Sequence, residues 1–271
     1  MKRFSSSRPD LSIVIPAYNE ALRLPSFLIR ISAYLGNRRL PYEIIVVDDG
    51  SRDGTAEVVR KLAGELSQLR LIRSGCNAGK GAAVRLGMQA AQGRLQLFAD
   101  ADGATAIEEI ERLEQAMTQG ADIAIGSRAL ASRDSRYTVH ARLHRSILGS
   151  LFNAAVQRLG LRGIQDTQCG FKLFRKMVAQ DLFPVMGING YGFDLELLYL
   201  AIRRGYRIDE VPVNWSDQPG SKVRPLRDGV VMLHSLLSVR RRIARGLYRC
   251  PHRSSAAGDL VLNPIERTSL P

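Results

Sequence analysis

The chain has 271 residues, 45% of them hydrophobic, and its 39 lysines and arginines outnumber its 26 aspartates and glutamates to give a formal net charge of +13. This length and apolar content allow a full core and exclude a wholly disordered chain. The widely spaced Cys76, Cys169 and Cys250 predict neither a disulfide framework nor a zinc site, and they favour a reducing compartment. The positive charge predicts an anionic partner, which could be nucleotide phosphates, lipid headgroups or nucleic acid.

Apolar runs rich in β-forming residues recur along the first half of the chain, and segments with helical spacing separate them. The runs lie at Leu11–Ile15, Glu43–Val47, Leu69–Ile72, Leu95–Ala99 and Asp122–Gly126. This alternation predicts an α/β fold with a mainly parallel, doubly wound sheet of the nucleotide-binding type, covered by helices on both faces.

After Arg128 the pattern changes to an arginine-rich polar linker and then to further amphipathic and β-rich segments. An amphipathic stretch at His144–Leu159 is followed by a strand at Phe171–Phe174, a helix at Asp194–Arg203, a strand at Arg207–Val213 and an amphipathic segment at Asp228–Tyr248. The second half is therefore predicted to add a region with an amphipathic C-terminal helix to the sheet.

Polar or small residues follow four of the predicted strands. They form the segments Pro16–Glu20, Asp48–Ser51, Asp100–Gly103 and Gly126–Arg128. In open α/β sheets the ligand crevice lies outside the carboxyl ends of the strands, so we expect these four loops to converge on one site.

Asp100 and Asp102 are two residues apart at the end of a predicted buried strand, so their carboxylates can project to the same side and share one divalent cation. Hard oxygen ligands favour Mg²⁺ or Mn²⁺ over zinc. Alternatively, the pair could cap the helix predicted at Thr105–Gln119, because aspartate is favoured at helix N-termini. The buried character of the preceding strand favours the metal site.

Two further loops carry candidate ligand-binding residues. One carboxylate of Asp48 and Asp49 could accept hydrogen bonds from a base or ribose, although the surrounding sequence is also typical of a turn. Gly79-Lys80-Gly81 lacks the spacing of a nucleoside triphosphate-binding loop. The helix that follows could still bind a diphosphate through its N-terminus and Lys80, or the small residues could serve close helix–sheet packing.

Taken together, the motifs Ile13–Glu20, Val46–Ser51, Asn77–Gly81 and Asp100–Asp102 resemble the family 2 glycosyltransferases of the GT-A fold. In that family the first two motifs bind the nucleotide of a nucleotide-sugar donor. The resemblance therefore assigns donor binding to Pro16, Ala17, Tyr18, Glu20 and Asp48, and through the diphosphate to Asp100. The helix start described above adds Lys80 to the expected donor-binding residues.

The resemblance also implies roles for the acidic pair and for one arginine. Asp100 and Asp102 would position a Mg²⁺ or Mn²⁺ ion and the diphosphate, and Arg128 is similar to an arginine that contacts phosphate in polyprenyl-phosphate mannose synthases. Those synthases have a glutamine where this chain has Ala104, so a third metal ligand would come from elsewhere or from water.

Three motifs of the second half, Asp166–Phe174, Phe193–Leu198 and Val213–Trp215 with Gly220–Lys222, resemble the dolichyl-phosphate β-glucosyltransferase branch. This implies inverting transfer of a sugar, glucose from UDP-glucose first of all, to a polyprenyl phosphate. We expect Arg133 and Lys222 to contact the acceptor phosphate.

The pattern along the chain, together with the resemblance, predicts a division of the chain. Residues 11–128 would form the nucleotide-sugar-binding half and residues 129–250 the acceptor- and membrane-facing half of the same domain, with a flexible N-terminus at 1–10 and a disordered tail at 251–271.

Two other functions are considered. A family 2 transferase acting on a sugar hydroxyl would need a general base, for which Asp194 or Asp166 is the candidate, although Asp166 fits a structural role better. A nucleic-acid-binding protein is suggested by the charge alone, and the absence of a basic-plus-aromatic stripe makes nucleic acid an unexpected partner.

The sequence shows neither a signal-peptide pattern nor a run long enough to cross a bilayer, so we expect a cytoplasmic protein bound peripherally to a membrane. The two amphipathic stretches could lie on the membrane or cover the core. At the end of the second stretch, Arg240, Arg241, Arg242 and Arg245 could contact anionic headgroups.

Overall fold

The computed structural model of the protein describes residues 9–140, 156–157, 161, 163–218, 225–246 and 248. The predictions for Lys222, for the tail after residue 250, for residues 1–8 and for nearly all of the amphipathic stretch at His144–Leu159 lie outside these residues.

A seven-stranded sheet runs through the middle of the protein, and a two-stranded sheet lies apart from it. The strands are β1 (Leu11–Ala17), β2 (Tyr42–Asp48), β3 (Leu69–Arg73), β4 (Leu95–Ala99), β5 (Ile123–Ser127), β6 (Val139–His140), β7 (Phe171–Arg175), β8 (Ile208–Pro212) and β9 (Trp215–Ser216). The order in the large sheet is β3-β2-β1-β4-β7-β5-β8, and β7 alone runs antiparallel to its neighbours. The predicted α/β fold with a mainly parallel sheet is confirmed.

Helices cover both faces of this sheet. They are α1 (Leu24–Asn37), α2 (Thr55–Glu65), α3 (Lys80–Ala90), α4 (Ile110–Thr118), α5 (Arg128–Ala131), α6 (Lys176–Leu182), α7 (Phe193–Arg203) and α8 (Pro225–Ala244), with 3-10 turns at Ile107–Glu109 and Phe183–Val185. No helix in the described ranges combines the length and the apolar character that crossing a bilayer requires.

Alternate residues of each buried strand pack into two separate cores. Ile13 and Ile15 of β1 lie in the core under α1, α2 and α4, whereas Val14 lies in the core under α3, α6 and α7. A strand buried on both faces needs an uninterrupted apolar run, which is why β1, β2 and β4 were visible in the sequence.

The second half of the chain contributes β7 and β8 to the same sheet. β7 lies between β4 and β5, so the two strands that were consecutive in the first half are not neighbours. Both sides of residue 128 therefore share one sheet, and the position of β7 brings residues 169–172 next to the end of β4.

The small parallel sheet of β6 and β9 joins the second half to the loop after β4. The Ser216 amide donates to the Ala104 carbonyl at 2.9 Å, and Thr105 forms an isolated antiparallel bridge with Trp215. The chain after β8 is thereby anchored beside the loop that carries the two predicted metal ligands.

Candidate active site

An open cleft of about 360 Å³ lies at the carboxyl ends of β1 and β4, beside the start of α3. Residues from the loops after β1, β2 and β4 line it, together with residues from the segment before α7. The predicted site residues that line it are Pro16, Ala17, Tyr18, Glu20, Lys80, Asp100 and Asp102. The cleft thus lies at the sheet edge expected from the sequence, but of the four loops predicted to converge there, Gly126–Arg128 contributes no residue to the lining.

Hydrogen bonds from backbone to side chain join the loop after β1 to the turn after β2. The Asn19 amide donates to Ser51 Oγ at 2.9 Å, and the Arg52 amide donates to Asn19 Oδ1 at 2.8 Å. The Glu20 amide donates to Thr55 Oγ1 at 2.8 Å. Asn19 has a φ of 52°, a left-handed conformation that asparagine tolerates better than most residues. These bonds keep the two loops together at one sheet edge.

Asp48 and Asp49 occupy different positions at the end of β2. Asp49 lines the cleft, and its carboxylate accepts hydrogen bonds from the amides of residues 78–79 at 2.9 and 2.8 Å. Asp48 is fully buried behind that lining, where its Oδ1 accepts from the Ser51 amide at 3.0 Å. Its Oδ2 lies 3.3 Å from Arg73 Nε but has no hydrogen-bond partner, so it keeps acceptor capacity.

Asp100 and Asp102 both line the cleft, and each carboxylate lies near a cation. Asp100 Oδ1 is 2.7 Å from Lys80 Nζ, and Asp102 Oδ2 is 4.0 Å from Arg23 Nη1. Asp102 Oδ1 accepts from the Ala104 amide at 3.1 Å. Neither carboxylate caps the 3-10 turn at residues 107–109 or α4, which begin without side-chain caps, so the helix-cap alternative is wrong.

The backbone immediately before β7 passes directly under Asp100. The Asp100 amide donates to the Gly170 carbonyl at 2.9 Å, and a Cβ atom on Gly170 would lie 2.0 Å from Asp100 Oδ2. Only a residue without a side chain leaves room for the carboxylate in this position. The residues around Gly170 in the sequence give no indication of this contact with Asp100.

The acidic pair fits a divalent cation. Burial and the charge of Asp100 raise the pKa of Asp102, although the Ala104 amide and the cations Arg23 and Lys80 act in the opposite direction. A bound cation would relieve this repulsion. In the described part of the chain no group of three or more His, Cys, Asp or Glu side chains could form a metal site. Two carboxylates are nevertheless sufficient where phosphate and water complete the shell, as is usual for Mg²⁺.

Lys80 is the first residue of α3, and the close packing expected of its flanking glycines is made with α7 and the segment before it, not with the sheet. Its Nζ reaches the cleft beside Asp100, while a Cβ on Gly81 would lie 2.6 Å from Phe193 Cβ, so this glycine permits close packing. Burial by itself would lower the pKa of Lys80, but the charges of Asp100 and Asp194 outweigh it and raise that pKa. Lys80 therefore stays protonated at neutral pH and offers its positive charge to the cleft.

Arg128 is not among the residues that line the cleft. Its Nε lies 2.7 Å from Asp166 Oδ2 and its Nη2 2.8 Å from Asp166 Oδ1, and its guanidinium lies 5.4 Å from the centre of the Trp215 ring. Its predicted contact with phosphate would have to be made while it is paired with Asp166, because two of its donors are already used. Asp166 is buried and bonded, which agrees with the structural role suggested for it.

Asp194 lies beneath the cleft and does not line it. The side chains of Asp194 and Lys172 are buried, with Lys172 Nζ 2.5 Å from Asp194 Oδ1 and 2.6 Å from the Cys169 carbonyl. Burial raises the pKa of Asp194, and the charges of Lys172 and Lys80 offset this only in part. The candidate base is thus an ion-pair partner without access to the lining, and its catalytic role stays a prediction.

Arg133, predicted to contact the acceptor, lies on the surface just after α5. The structure also brings into the cleft residues that the sequence did not suggest, among them Arg23 and Tyr191. Arg23 closely follows the Ile13–Glu20 motif, so proximity to that motif was an available signal. Tyr191 lies more than a hundred positions away from Lys80, and nothing local to it indicates that it reaches the same cleft.

The chain was compared with known families and proteins. A family model described as "Glycosyl transferase family 2" matches residues 12–183. The chain is 38% identical over 250 residues to dolichyl-phosphate beta-glucosyltransferase of Dictyostelium discoideum, covering 88% of this chain and 76% of the relative. It is 41% identical to the protein of that name from Drosophila melanogaster (89% and 77% covered) and 37% identical to that of Homo sapiens (91% and 79%).

Solved structures of similar fold include glucosyl-3-phosphoglycerate synthase of Mycobacterium tuberculosis, in complex with Mn²⁺, uridine diphosphate and phosphoglyceric acid. It has a TM-score of 0.62 and 21% identity, covering 90% of this chain and 80% of that one. Mannosyl-3-phosphoglycerate synthase of Rubrobacter xylanophilus has a TM-score of 0.61 and 19% identity, with 88% and 76% covered. These similarities establish the GT-A fold.

The cleft at the sheet edge, the acidic pair beside it and the match over most of the chain lead to the same assignment. The protein is a glycosyltransferase enzyme with a GT-A fold that belongs to glycosyltransferase family 2.

Proposed function

We propose that this enzyme transfers glucose from UDP-glucose to a polyprenyl phosphate, with inversion at the anomeric carbon. The observation that carries the proposal is the 37–41% identity, over 88–91% of this chain, to relatives named dolichyl-phosphate beta-glucosyltransferase. The cleft supports it, because its acidic pair and its lysine suit a nucleoside diphosphate and a divalent cation.

The donor would lie along the carboxyl ends of β1 and β2. Pro16, Ala17 and Tyr18 line the cleft there. Asp48 is buried behind this lining, and we propose that its Oδ2, which accepts no hydrogen bond, receives the ring N–H of a uracil base that enters there. The diphosphate would reach the start of α3, where the helix N-terminus and the Lys80 ammonium both favour negative charge.

Asp100 and Asp102 would bind a Mg²⁺ or Mn²⁺ ion, and the M. tuberculosis synthase of similar fold was solved with Mn²⁺ and uridine diphosphate. A bound cation would neutralise the charge that develops on the leaving nucleoside diphosphate. Arg23 and Lys80 lie beside these two carboxylates and would supply positive charge to the donor phosphates.

The partners of the carboxylates in the cleft favour a phosphate as the acceptor. Glu20 is bonded to Arg23, Asp49 to two backbone amides, Asp100 to Lys80 and Asp102 to the Ala104 amide. A lipid phosphate, with a second pKa of about 6, is mostly dianionic at neutral pH and attacks without a general base. A sugar hydroxyl would need such a base.

We also propose that the enzyme works at the cytoplasmic face of a membrane as a peripheral protein, since its acceptor is a lipid. Arg240, Arg241 and Arg245 are exposed near the end of α8, as are Val231 and Leu237 earlier in the same helix. Basic and apolar groups on one helix suit an anionic lipid surface. The surface residue Arg133 is proposed to contact the acceptor phosphate, and the same role is proposed for Lys222.

A donor and acceptor screen tests the proposal. The full chain is incubated with Mn²⁺, vesicles that contain a polyprenyl phosphate, and labelled UDP-glucose, GDP-mannose or another nucleotide sugar. We expect glycolipid from UDP-glucose, and a loss of about 10²–10³-fold in Asp102→Asn, the range seen when one charge-stabilising group is removed. Glu65→Gln, a change at an exposed carboxylate of α2 away from the cleft, is the control.

The acceptor arm of the screen separates the two enzymatic alternatives. Product from polyprenyl phosphate and none from the free polyprenol or from sugars supports the proposal. Product from a sugar acceptor would support the transferase that uses a hydroxyl nucleophile. No product from any nucleotide sugar with any metal would contradict both.

A further inference from the structure

The segment of residues 186–191, which we call the cleft wall, connects the 3-10 turn at Phe183–Val185 to α7 and supplies Gly190 and Tyr191 to the cleft lining. One side of the cleft wall packs against α3. The Ala82 amide donates to the Asn189 carbonyl at 3.2 Å, and a Cβ on Gly79 would lie 2.5 Å from that same carbonyl oxygen. The wall therefore packs directly against the turn of helix that carries Lys80.

On its other side the cleft wall is bonded to Glu196 of α7. This side chain is fully buried. Its Oε2 accepts from the Ile188 amide at 2.8 Å, and both of its oxygens lie 3.0 Å from the Gly187 amide nitrogen. A buried carboxylate is tolerated only where opposite charges and hydrogen bonds compensate for the lost hydration. The remaining partners of Glu196 therefore determine whether its side chain can stay buried.

Those remaining partners come from the last turn of α8 and from Tyr248, four residues beyond the end of that helix. Arg242 Nη1 lies 3.5 Å from Glu196 Oε1, and the Tyr248 hydroxyl donates to the same oxygen. Arg242 also lies 5.3 Å from the centre of the Tyr248 ring. A Cβ on Gly187 would lie 2.2 Å from Arg242 Nη1, so the missing side chain of Gly187 leaves the space that the guanidinium occupies.

The helix is also packed closely at a second point. A Cβ on Gly192, which precedes α7, would lie 2.5 Å from Ser235 Cβ of α8. Two glycines at the two ends of the wall region, Gly187 and Gly192, thus each make room for a side chain of the same helix. The helix, Glu196 and the wall form one continuous set of contacts that ends at Tyr191 in the cleft.

We propose that Glu196 is a positioning residue that couples the C-terminal helix to the donor cleft. While Arg242 and Tyr248 contact its carboxylate, Glu196 orders the cleft wall and the cleft binds nucleotide tightly. When the end of the helix moves away, the wall loosens and affinity falls. By thermodynamic reciprocity, a nucleotide in the cleft favours the docked helix. The link to nucleotide affinity rests on the function proposed above, whereas the link between helix and wall does not.

The coupling is tested with Tyr248→Phe, which removes one hydroxyl outside the cleft and leaves the ring. The matched control is Tyr206→Phe, which removes a hydroxyl that donates to the Asp181 carboxylate at 2.7 Å on the same side of the sheet. Hydrogen exchange of peptides covering residues 186–191 reports the wall, and calorimetric titration with UDP and Mn²⁺ reports the cleft. Thermal unfolding shows whether each variant is folded.

In Tyr248→Phe we expect faster exchange in the wall and a rise of about fivefold or more in the Kd for UDP, the lower range of measured couplings between sites. In Tyr206→Phe we expect neither change. Unaltered exchange in Tyr248→Phe would overturn the link between helix and wall, and faster exchange with unaltered Kd would overturn the claim that the wall sets affinity. If the unmodified chain bound no nucleotide, the proposed function would fail, and the exchange measurement would still decide the coupling.

Discussion

Arg128 and Asp166, which lie 38 positions apart in the chain, form a bidentate ion pair, and a hydrogen bond from the Arg128 backbone reinforces it. The Arg128 amide also donates to Asp166 Oδ2 at 2.9 Å, so one carboxylate orients both the backbone and the side chain of the arginine. The pair joins the end of β5 to the segment before β7. This segment, through Gly170, passes under Asp100. It therefore stabilises the sheet edge at which the cleft lies.

Asp166→Asn is expected to lower the free energy of unfolding at neutral pH by about 2–3 kcal/mol. Breaking a fully buried pair costs about 3–5 kcal/mol, and the Arg128 side chain is 32% exposed, which weakens the effect. Chemical denaturation of both proteins at pH 7 measures the difference. Equal unfolding free energies would show that the pair contributes nothing to stability.

The pH dependence of the same comparison has a definite sign. Burial would raise the pKa of Asp166, but the charge and hydrogen bonds of Arg128 outweigh it and hold that pKa below its ordinary value. The stabilisation is therefore complete above about pH 4, the ordinary pKa of an aspartate, and is lost as the pH falls further. We expect the unfolding free energies of the two proteins to converge only in that acidic range. Convergence at neutral pH would contradict this.

Gly170→Ala is expected to weaken the binding of UDP with Mn²⁺ by at least about tenfold, because an added Cβ would lie 2.0 Å from Asp100 Oδ2 and displace a proposed metal ligand. The control is Gly36→Ala in α1, where a Cβ meets no atom within 4 Å and alanine favours the helix. Calorimetric titration of both variants makes the comparison. Normal binding by Gly170→Ala would argue against the position assigned to Asp100.

Lys172→Met is expected to destabilise the protein by about 3–5 kcal/mol, because it leaves Asp194 buried without its cation. The double variant Lys172→Met/Asp194→Leu should recover part of this loss, since apolar side chains can replace a buried pair at little cost. Unfolding free energies of the single and double variants form the test. A double variant less stable than Lys172→Met would show that Asp194 stabilises the fold independently of Lys172.

Replacing Arg240, Arg241 and Arg245 together by glutamine is expected to weaken binding to anionic vesicles about a hundredfold, since each arginine near such a surface contributes roughly 1 kcal/mol. The control removes the same charge from the exposed Arg30, Arg60 and Arg94 in the first half of the chain. Flotation at low salt measures both variants. An equal loss of vesicle binding in both variants would mean that the net charge of the protein, and not the position of the arginines near the end of α8, determines the binding.

Much of the fold could be predicted because buried strands have a local signature. β1, β2, β4 and β5 are contiguous apolar runs, and polar residues follow each of them at the edge where ligands bind. The acidic pair, Lys80 and the loop at 16–20 were found for this reason. The insertion of β7 could not be predicted, because a five-residue strand with three apolar side chains does not indicate which neighbours it pairs with or in which direction.

The amino-acid sequence by itself determined the α/β class, the strand ends that form the cleft and the family to which the enzyme belongs, since all of these depend on residues close together in the chain. The tertiary structure alone decided the partners of Arg128 and Asp194, the contact of Gly170 with Asp100, and the link from Glu196 to Arg242 and Tyr248. Buried charges need specific opposite charges or hydrogen bonds, and those come from distant segments that only the folded packing brings together.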